Sequence, residues 1–80
     1  PETTRWVEEY PVTRRGKKYK YYRFCYLEES RNIRSVKRVH LSGGDIHNSY
    51  AIALKEKVES AIAQGMTPHR IVQLIRGNKM

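Results

Sequence analysis

One stretch, residues 14–38, constrains the fold more than any other part of the chain. It interleaves ten Lys and Arg residues and five aromatic rings with only two acids. Alternating aromatic and basic residues, with β-branched Ile33, Val36 and Val39 close by, are typical of strands and not of a helix. Strands this cationic repel one another unless an anion neutralises them. The stretch therefore predicts a β-hairpin with an anionic partner, and nucleic acid is the simplest such partner.

Length and composition set outer limits on the protein. Its 80 residues carry a formal net charge of +8, and this length predicts one small domain, residues 1–80. The chain begins at Pro1, which is compatible with a piece of a longer protein. A lone cysteine, Cys25, excludes an internal disulfide framework and a Cys-based zinc finger. The same cysteine usage indicates a reducing interior, so we expect a cytoplasmic (nucleoid-associated) or nuclear location. No run of eighteen apolar residues occurs, so we expect nothing that spans a membrane and no membrane partner.

Three strands are predicted in the first half of the chain. The first, residues 6–12, contains Pro11 and is an edge strand or the start of a strand, because proline cannot donate to a sheet ladder. The second, residues 19–27, follows a loop over residues 13–18, and the third covers residues 33–41. Period-two geometry divides the second strand into two faces. We place the more continuously aromatic face in the core and leave the face of Tyr21 and Arg23 open.

Two helices are predicted in the second half. Apolar residues recur at offsets of three and four over residues 51–62, which is the spacing of an amphipathic helix. Thr67 and Pro68 then form the N-cap and first position of another helix. We therefore expect an α+β fold, in which two C-terminal helices follow a three-stranded antiparallel sheet and pack on one of its faces. The predicted core residues are Phe24, Leu54, Val58, Ile62, Ile71 and Leu74.

Catalytic and metal-binding constellations are not evident. Cys25 lacks a neighbouring base, and the pairs Glu8-Glu9 and Glu28-Glu29 resemble solvated charges, so we expect no enzymatic activity. His40, Asp45 and His47 are close in sequence, but two histidines and one carboxylate are a weak metal signal. We expect neither a metal nor a cofactor.

A family resemblance is carried by the segment RRGKKYKYYRFCYLEESRNIRSVKRVHL, residues 14–41, followed by a packing helix over residues 51–62. This arrangement resembles the three-stranded-sheet DNA-binding domains, which include the arm-binding domains of tyrosine recombinases and the plant AP2-type domains. The resemblance covers residues 6–64 and omits the second helix. It implies a sheet that enters the major groove, a role in transcription regulation or recombination, and base contacts from Tyr21, Arg23, Arg34 and Arg38.

The interpretation that we favour is double-stranded DNA binding by the cationic sheet. Arginine pairs bidentately with guanine or phosphate, lysine supplies point charge, and a β-ribbon fits the major groove. We expect one group of residues to hold phosphates: Arg14, Arg15, Lys17, Lys18 and Lys20. We expect a second group to lie nearest the bases: Tyr21, Arg23, Arg34, Lys37 and Arg38.

Two other functions fit the same sequence. In the first, the tyrosines stack on the bases of single-stranded DNA or RNA. In the second, the chain is an adaptor whose C-terminal helices bind a protein partner or a second copy of the chain, and its charge is incidental. Preference for duplex over single strands distinguishes the favoured function from the first alternative.

Overall fold

The computed structural model describes residues 4–78. Within them, strands β1 (Arg5–Arg14), β2 (Lys17–Ser30) and β3 (Ile33–His40) precede helices α1 (Ser49–Ala63) and α2 (Pro68–Gly77). The strands form an antiparallel sheet in the order β1-β2-β3. The predicted α+β fold is therefore confirmed. No helix in these residues is long and apolar enough to cross a membrane.

Both hairpins turn through two residues with positive φ. The first turn is Arg15-Gly16, with φ of 51° and 78°, and the second is Arg31-Asn32, with φ of 52° and 67°. Consecutive positive φ values define a turn whose twist matches that of the flanking strands. The ladder therefore continues to the tip of each hairpin, and residues 13, 14, 17 and 18, predicted as loop, belong to strands.

The edge position predicted for β1 is confirmed. Leu27 N donates to Thr4 O over 2.9 Å, which makes the even-numbered residues of β1 the ones that hydrogen-bond to β2. Pro11 is odd-numbered, so the position where it lacks an N–H group faces away from β2. Pro11 therefore removes no hydrogen bond between β1 and β2, and it protects the outer edge of β1 from pairing with another strand.

The hydrophobic core lies between one face of the sheet and the two helices. Four of the six predicted core residues, Phe24, Leu54, Val58 and Ile71, are fully buried. The other two, Ile62 and Leu74, are only half-buried and pack against the margin of the core. The remaining buried residues of the cluster are small or β-branched side chains from both helices and one leucine that follows β3: Leu41, Ala61, Val72 and Ile75.

Local signals position the helices against the sheet. The side chain of Asn48 caps α1 by accepting from Tyr50 N, and that of Thr67 caps α2 by accepting from Arg70 N. The predicted N-cap of the second helix is thus confirmed. Arg5 Nη1 donates to the carbonyl of Met66 over 2.7 Å, which ties β1 to the connection between the helices.

Candidate nucleic-acid interface

The register of the sheet separates two faces. Val7 pairs with Phe24 and Phe24 with Val39, and these side chains face the helices. The opposite face, which we name the open face, consists of even-numbered residues 6–14 of β1, odd-numbered residues 17–29 of β2 and even-numbered residues 34–40 of β3. Tyr21 and Arg23 belong to it, as predicted from the alternation in the second strand.

Four rings from all three strands form an aromatic cluster at the centre of the open face: Tyr10, Tyr19, Tyr21 and His40. The centroid of Tyr21 lies 6.2 Å from that of Tyr10, 6.5 Å from that of Tyr19 and 5.4 Å from that of His40. These separations are typical of tilted and edge-to-face aromatic pairs. Because three strands contribute, the cluster links all three strands across the open face.

His40 is held inside this cluster by a specific contact. Its Nδ1 lies 2.8 Å from the hydroxyl of Tyr10, in a hydrogen bond between the two outer strands. Burial of the imidazole lowers the pKa of His40, and the positive charge of Arg14 lowers that pKa further. Both effects disfavour the imidazolium, so His40 is a neutral hydrogen-bonding group near neutral pH.

Arg23 has a partner that the sequence did not indicate. Its Nη2 lies 2.6 Å from Glu8 Oε2, and its Nε donates to the same oxygen over 2.7 Å. Glu8 Oε1 accepts a further hydrogen bond from Trp6 Nε1 over 2.8 Å. These bonds from Trp6 and Arg23 lower the pKa of Glu8. Glu8 is therefore a structural carboxylate, and its description as a solvated charge is wrong.

The guanidinium of Arg23 also lies over a ring of the cluster. Its Cζ is 4.5 Å from the centroid of Tyr10, a distance at which a cation is attracted to the face of an aromatic ring. Two groups of β1, the carboxylate and the ring, thus hold Arg23 against the sheet. Its predicted role as a reader of base edges would require the guanidinium to leave Glu8.

The β1–β2 hairpin ends in a strongly cationic segment, which we name the basic tip, residues 13–20. Residues 13–18 are all exposed, and four of these six positions are Lys or Arg. Here β2 is paired with β1 alone, since β3 begins to pair with β2 at Arg23. Residues 41–46 run alongside β2 and hydrogen-bond to it no closer to the tip than Lys20, whose carbonyl accepts from Ile46 N. The tip is therefore a two-stranded ribbon that projects from the sheet.

A shallow depression of about 560 Å³ opens where the basic tip meets the aromatic cluster. Its lining combines three cations with two rings: Arg14, Arg15, Lys17, Tyr19 and Tyr21. The guanidinium of Arg14 lies 5.5 Å from the centroid of Tyr21 and covers one side of that ring. Cations and aromatic surface thus meet in a single concave site.

The structure brings six of the ten predicted site residues together on the open face: Arg14, Lys17, Tyr21, Arg23, Arg34 and Arg38. Arg15 lies in the turn of the basic tip, while Lys18 and Lys20 alternate onto the other face of the ribbon. Lys37 does not lie on the open face, although we predicted it among the residues nearest the bases. It lies on the helix side of β3, with Nζ 3.9 Å from Glu28 Oε1, because odd-numbered residues of β3 share the face of Val39.

Other residues of the interface were missed at the sequence level. Tyr10 and His40 belong to the aromatic cluster, and Trp6 and Glu8 fix Arg23. Trp6, Glu8 and Tyr10 share one period-two face of the first strand, so the same alternation that separated the faces of β2 could have found them. Their pairing with β2 depends on the register, which the two-residue turn sets.

A metal site is not supported by the described part of the chain. Residues 4–78 contain no group of three His, Cys, Asp or Glu side chains placed to hold an ion. Asp45 Oδ1 instead accepts a hydrogen bond from His47 N over 3.0 Å, within the loop that precedes α1. Cys25 is fully buried as a free thiol, and burial raises its pKa, which suits a packing role.

Comparisons with known proteins do not identify a family. The chain matches no protein-family model, no curated protein and no solved structure. The resemblance to three-stranded-sheet DNA-binding domains therefore stays a prediction, and a functional proposal depends on the shape and charge of the open face.

Proposed function

We propose that this chain binds double-stranded DNA, with the open face and the basic tip directed into the major groove. The observation that carries this proposal is the projecting two-stranded ribbon, whose six outermost positions are exposed and include four cations. The major groove of B-DNA is wide enough to admit a two-stranded β-ribbon. Such a ribbon places its cations against the phosphates on both sides of the groove.

The cations divide into two roles by their position. Those of the basic tip hold phosphates and supply salt-dependent affinity: Arg14, Arg15, Lys17, Lys18 and Lys20. Arg38 is the stronger candidate for reading base edges, because it is exposed on the open face and has no ion-pair partner within residues 4–78. Arg34 shares that face and lies 3.2 Å from Glu29. Arg23 supports Tyr10, and Lys37 contributes charge from the opposite face.

The arrangement of the rings favours duplex over single-stranded nucleic acid. Proteins that bind single strands offer successive aromatic faces on which bases stack. Here a guanidinium covers one side of Tyr10 and another covers one side of Tyr21. The Tyr10 hydroxyl is hydrogen-bonded to His40. Most of the cluster is therefore used to build the face, and few ring surfaces remain for a run of unpaired bases.

The helices offer little for the adaptor alternative. Among residues 4–78, the large hydrophobic side chains that are exposed are Ile33 and Tyr50, which lie on different elements. A protein-docking surface ordinarily presents a contiguous apolar patch. By that measure, nucleic acid is the better-supported partner, and transcription regulation or recombination are the processes that such a domain would serve.

The test compares matched ligands under identical salt. Fluorescence anisotropy should show tighter binding to a duplex than to single-stranded DNA or RNA of the same length. Arg38→Ala should cost about 1–3 kcal/mol on a preferred duplex and less on a scrambled one. The matched control is Arg70→Ala, which removes an exposed arginine from α2. Tighter binding to single strands, with Tyr21→Leu more damaging than Arg38→Ala, would instead establish the stacking alternative.

A further inference from the structure

Tyr19 differs from the other rings of the aromatic cluster. Within residues 4–78 its ring contacts one other ring, that of Tyr21 at 6.5 Å, and no cation lies over it. Tyr10 and Tyr21, by contrast, each carry a guanidinium on one side. Tyr19 is also the one ring of the cluster that lies within the basic tip, and it lines the shallow depression. One aromatic surface in the cluster thus remains available to a ligand.

The groups around Tyr19 complement those of a single nucleotide. A nucleotide within a strand has a planar base and a phosphodiester anion on either side of its sugar. The depression offers an uncovered ring for the base and three cations for the anions, namely Arg14, Arg15 and Lys17. Its volume of about 560 Å³ is in the range of pockets that hold small ligands. Stacking on an aromatic ring suits any base, because every base has a π-face.

The turn fixes these cations relative to the ring. Arg15 and Gly16 have φ of 51° and 78°, which closes the hairpin in two residues. Arg14 and Lys17 are paired across that turn, and Val12 is paired with Tyr19. Because the ladder reaches the tip, the backbone of the depression is formed before a ligand arrives. A preformed site avoids part of the entropy cost of binding.

We propose that the depression binds a single unpaired nucleotide of a DNA duplex, with its base stacked on Tyr19 and its phosphates held by the basic tip. This inference rests on the proposed duplex binding and specifies the duplex: one that carries a bulged or terminal unpaired base. Of the three tyrosines in the cluster, Tyr19 alone has no cation over its ring, so the site takes one base and not a run of them. An unpaired base also enters at little cost, since it need not be separated from a partner.

The experiment compares two duplexes that differ by one nucleotide. A plain duplex and the same duplex with a central single-nucleotide bulge are titrated with the whole chain under fluorescence anisotropy. We expect the bulged duplex to bind about fivefold to 150-fold tighter, the range that corresponds to stacking one base on an aromatic ring. Tyr19→Leu should abolish this preference, so that the variant binds the plain and the bulged duplex with equal affinity. Tyr19→Phe, which keeps the ring, should retain the preference.

The control variant is Tyr50→Leu, which makes the same change at a 62% exposed tyrosine on α1. It should keep the wild-type preference. A second measurement needs no variant: 2-aminopurine placed at the bulge should lose fluorescence on binding to the wild-type protein, because it stacks on Tyr19.

The outcomes separate the two proposals. Equal wild-type affinity for both duplexes, a preference that persists in Tyr19→Leu, or unchanged 2-aminopurine fluorescence would overturn the nucleotide site while leaving duplex binding intact. Failure of the wild-type protein to bind either duplex would overturn the proposed function together with the nucleotide site. Tightest binding to the isolated single strand would favour the stacking alternative.

Discussion

At the residue scale, the environment of Arg23 shows how a charged side chain can be fixed on an exposed sheet face. The Arg23 and Glu8 side chains are 27% and 33% exposed, so their ion pair is partly shielded from water. Glu8 also accepts from Trp6, and Arg23 lies over Tyr10. Each contact is modest alone, but the ion pair and the ring contact join β1 to β2, and the Trp6 bond fixes Glu8 within β1. We therefore assign Arg23 a structural role, although its residue type and position suggested a reader of bases.

A double-mutant cycle tests this role. Arg23→Ala should lower the free energy of unfolding by about 1–2 kcal/mol, the sum of a partly exposed ion pair and a cation–π contact. Glu8→Ala should cost a similar amount, and the double variant less than both together, with a coupling of about 0.5–1 kcal/mol. Urea denaturation measures all four proteins. Additive effects would show that the two side chains stabilise the sheet independently.

His40 leads to a prediction about acid. Because the pKa of His40 is lowered in the folded state, the unfolded chain takes up a proton at this position first as the pH falls. The stability that neutral His40 contributes is therefore complete above the unfolded pKa of about 6.5. It is lost as the pH falls from there through the folded pKa. Tyr10, Tyr21 and Arg14 face His40, and Arg23 is its cross-strand neighbour on β2.

The measurement is the unfolding free energy at pH 7.5 and pH 5.5. The wild-type protein should lose stability on acidification, and His40→Gln should lose less, because glutamine does not titrate. The control is His69→Gln, which changes an exposed histidine on α2. An acid loss of the same size in His40→Gln and wild type would assign the effect to another group.

At the element scale, local signals in the sequence predicted the kinds of element and most of their order, since turns and caps depend on few neighbours. Thr67 and Pro68 mark the start of α2, and Pro11 marks an edge strand, as the structure confirms. The pairing of Glu8 with Arg23 could not be predicted in the same way. It depends on the ladder register, which a turn of two residues at Arg15-Gly16 sets and a longer loop would shift.

The connection between the sheet and α1 provides a test at this scale. Gly43 has φ of 110°, and a Cβ added there would lie 2.8 Å from Ala51 N and 3.0 Å from the Tyr50 carbonyl carbon. Gly43→Ala should therefore destabilise the protein by about 1–3 kcal/mol, through backbone strain and contact with the first turn of α1. The control is Gly77→Ala in α2, where a Cβ meets nothing within 4 Å. Thermal unfolding should show a lower Tm only for Gly43→Ala. Equal Tm values for the two variants would show that α1 can move away from Gly43.

At the scale of the whole molecule, the two faces of the sheet have different roles: one stabilises the fold, and the other forms the candidate interface. One face packs against α1 and α2 and forms the core, while the other carries the cluster and most of the predicted site residues. Alternation in β2 predicted this division because a strand places successive side chains on opposite faces. Lys37 was assigned to the interface by its charge alone, and the alternation in β3 places it on the helix side. Charge therefore predicted which residue types form the site, and the strand register determined which of those residues lie on the open face.

This division leads to a prediction about salt. If the basic tip contacts phosphates, the logarithm of the duplex affinity should fall linearly with the logarithm of the salt concentration, because binding releases condensed counterions. Replacing both Lys17 and Lys18 with Ala should flatten that slope by about one unit for each phosphate that the variant no longer binds, while any sequence preference persists.

The matched control replaces Lys57 and Arg76 with Ala, which removes the same charge from exposed positions on α1 and α2. That double variant should keep the wild-type slope, because the helices lie on the side of the sheet opposite the open face. Equal flattening in both double variants would mean that net charge, and not the basic tip, determines DNA affinity, and a wild-type slope near zero would exclude phosphate binding altogether.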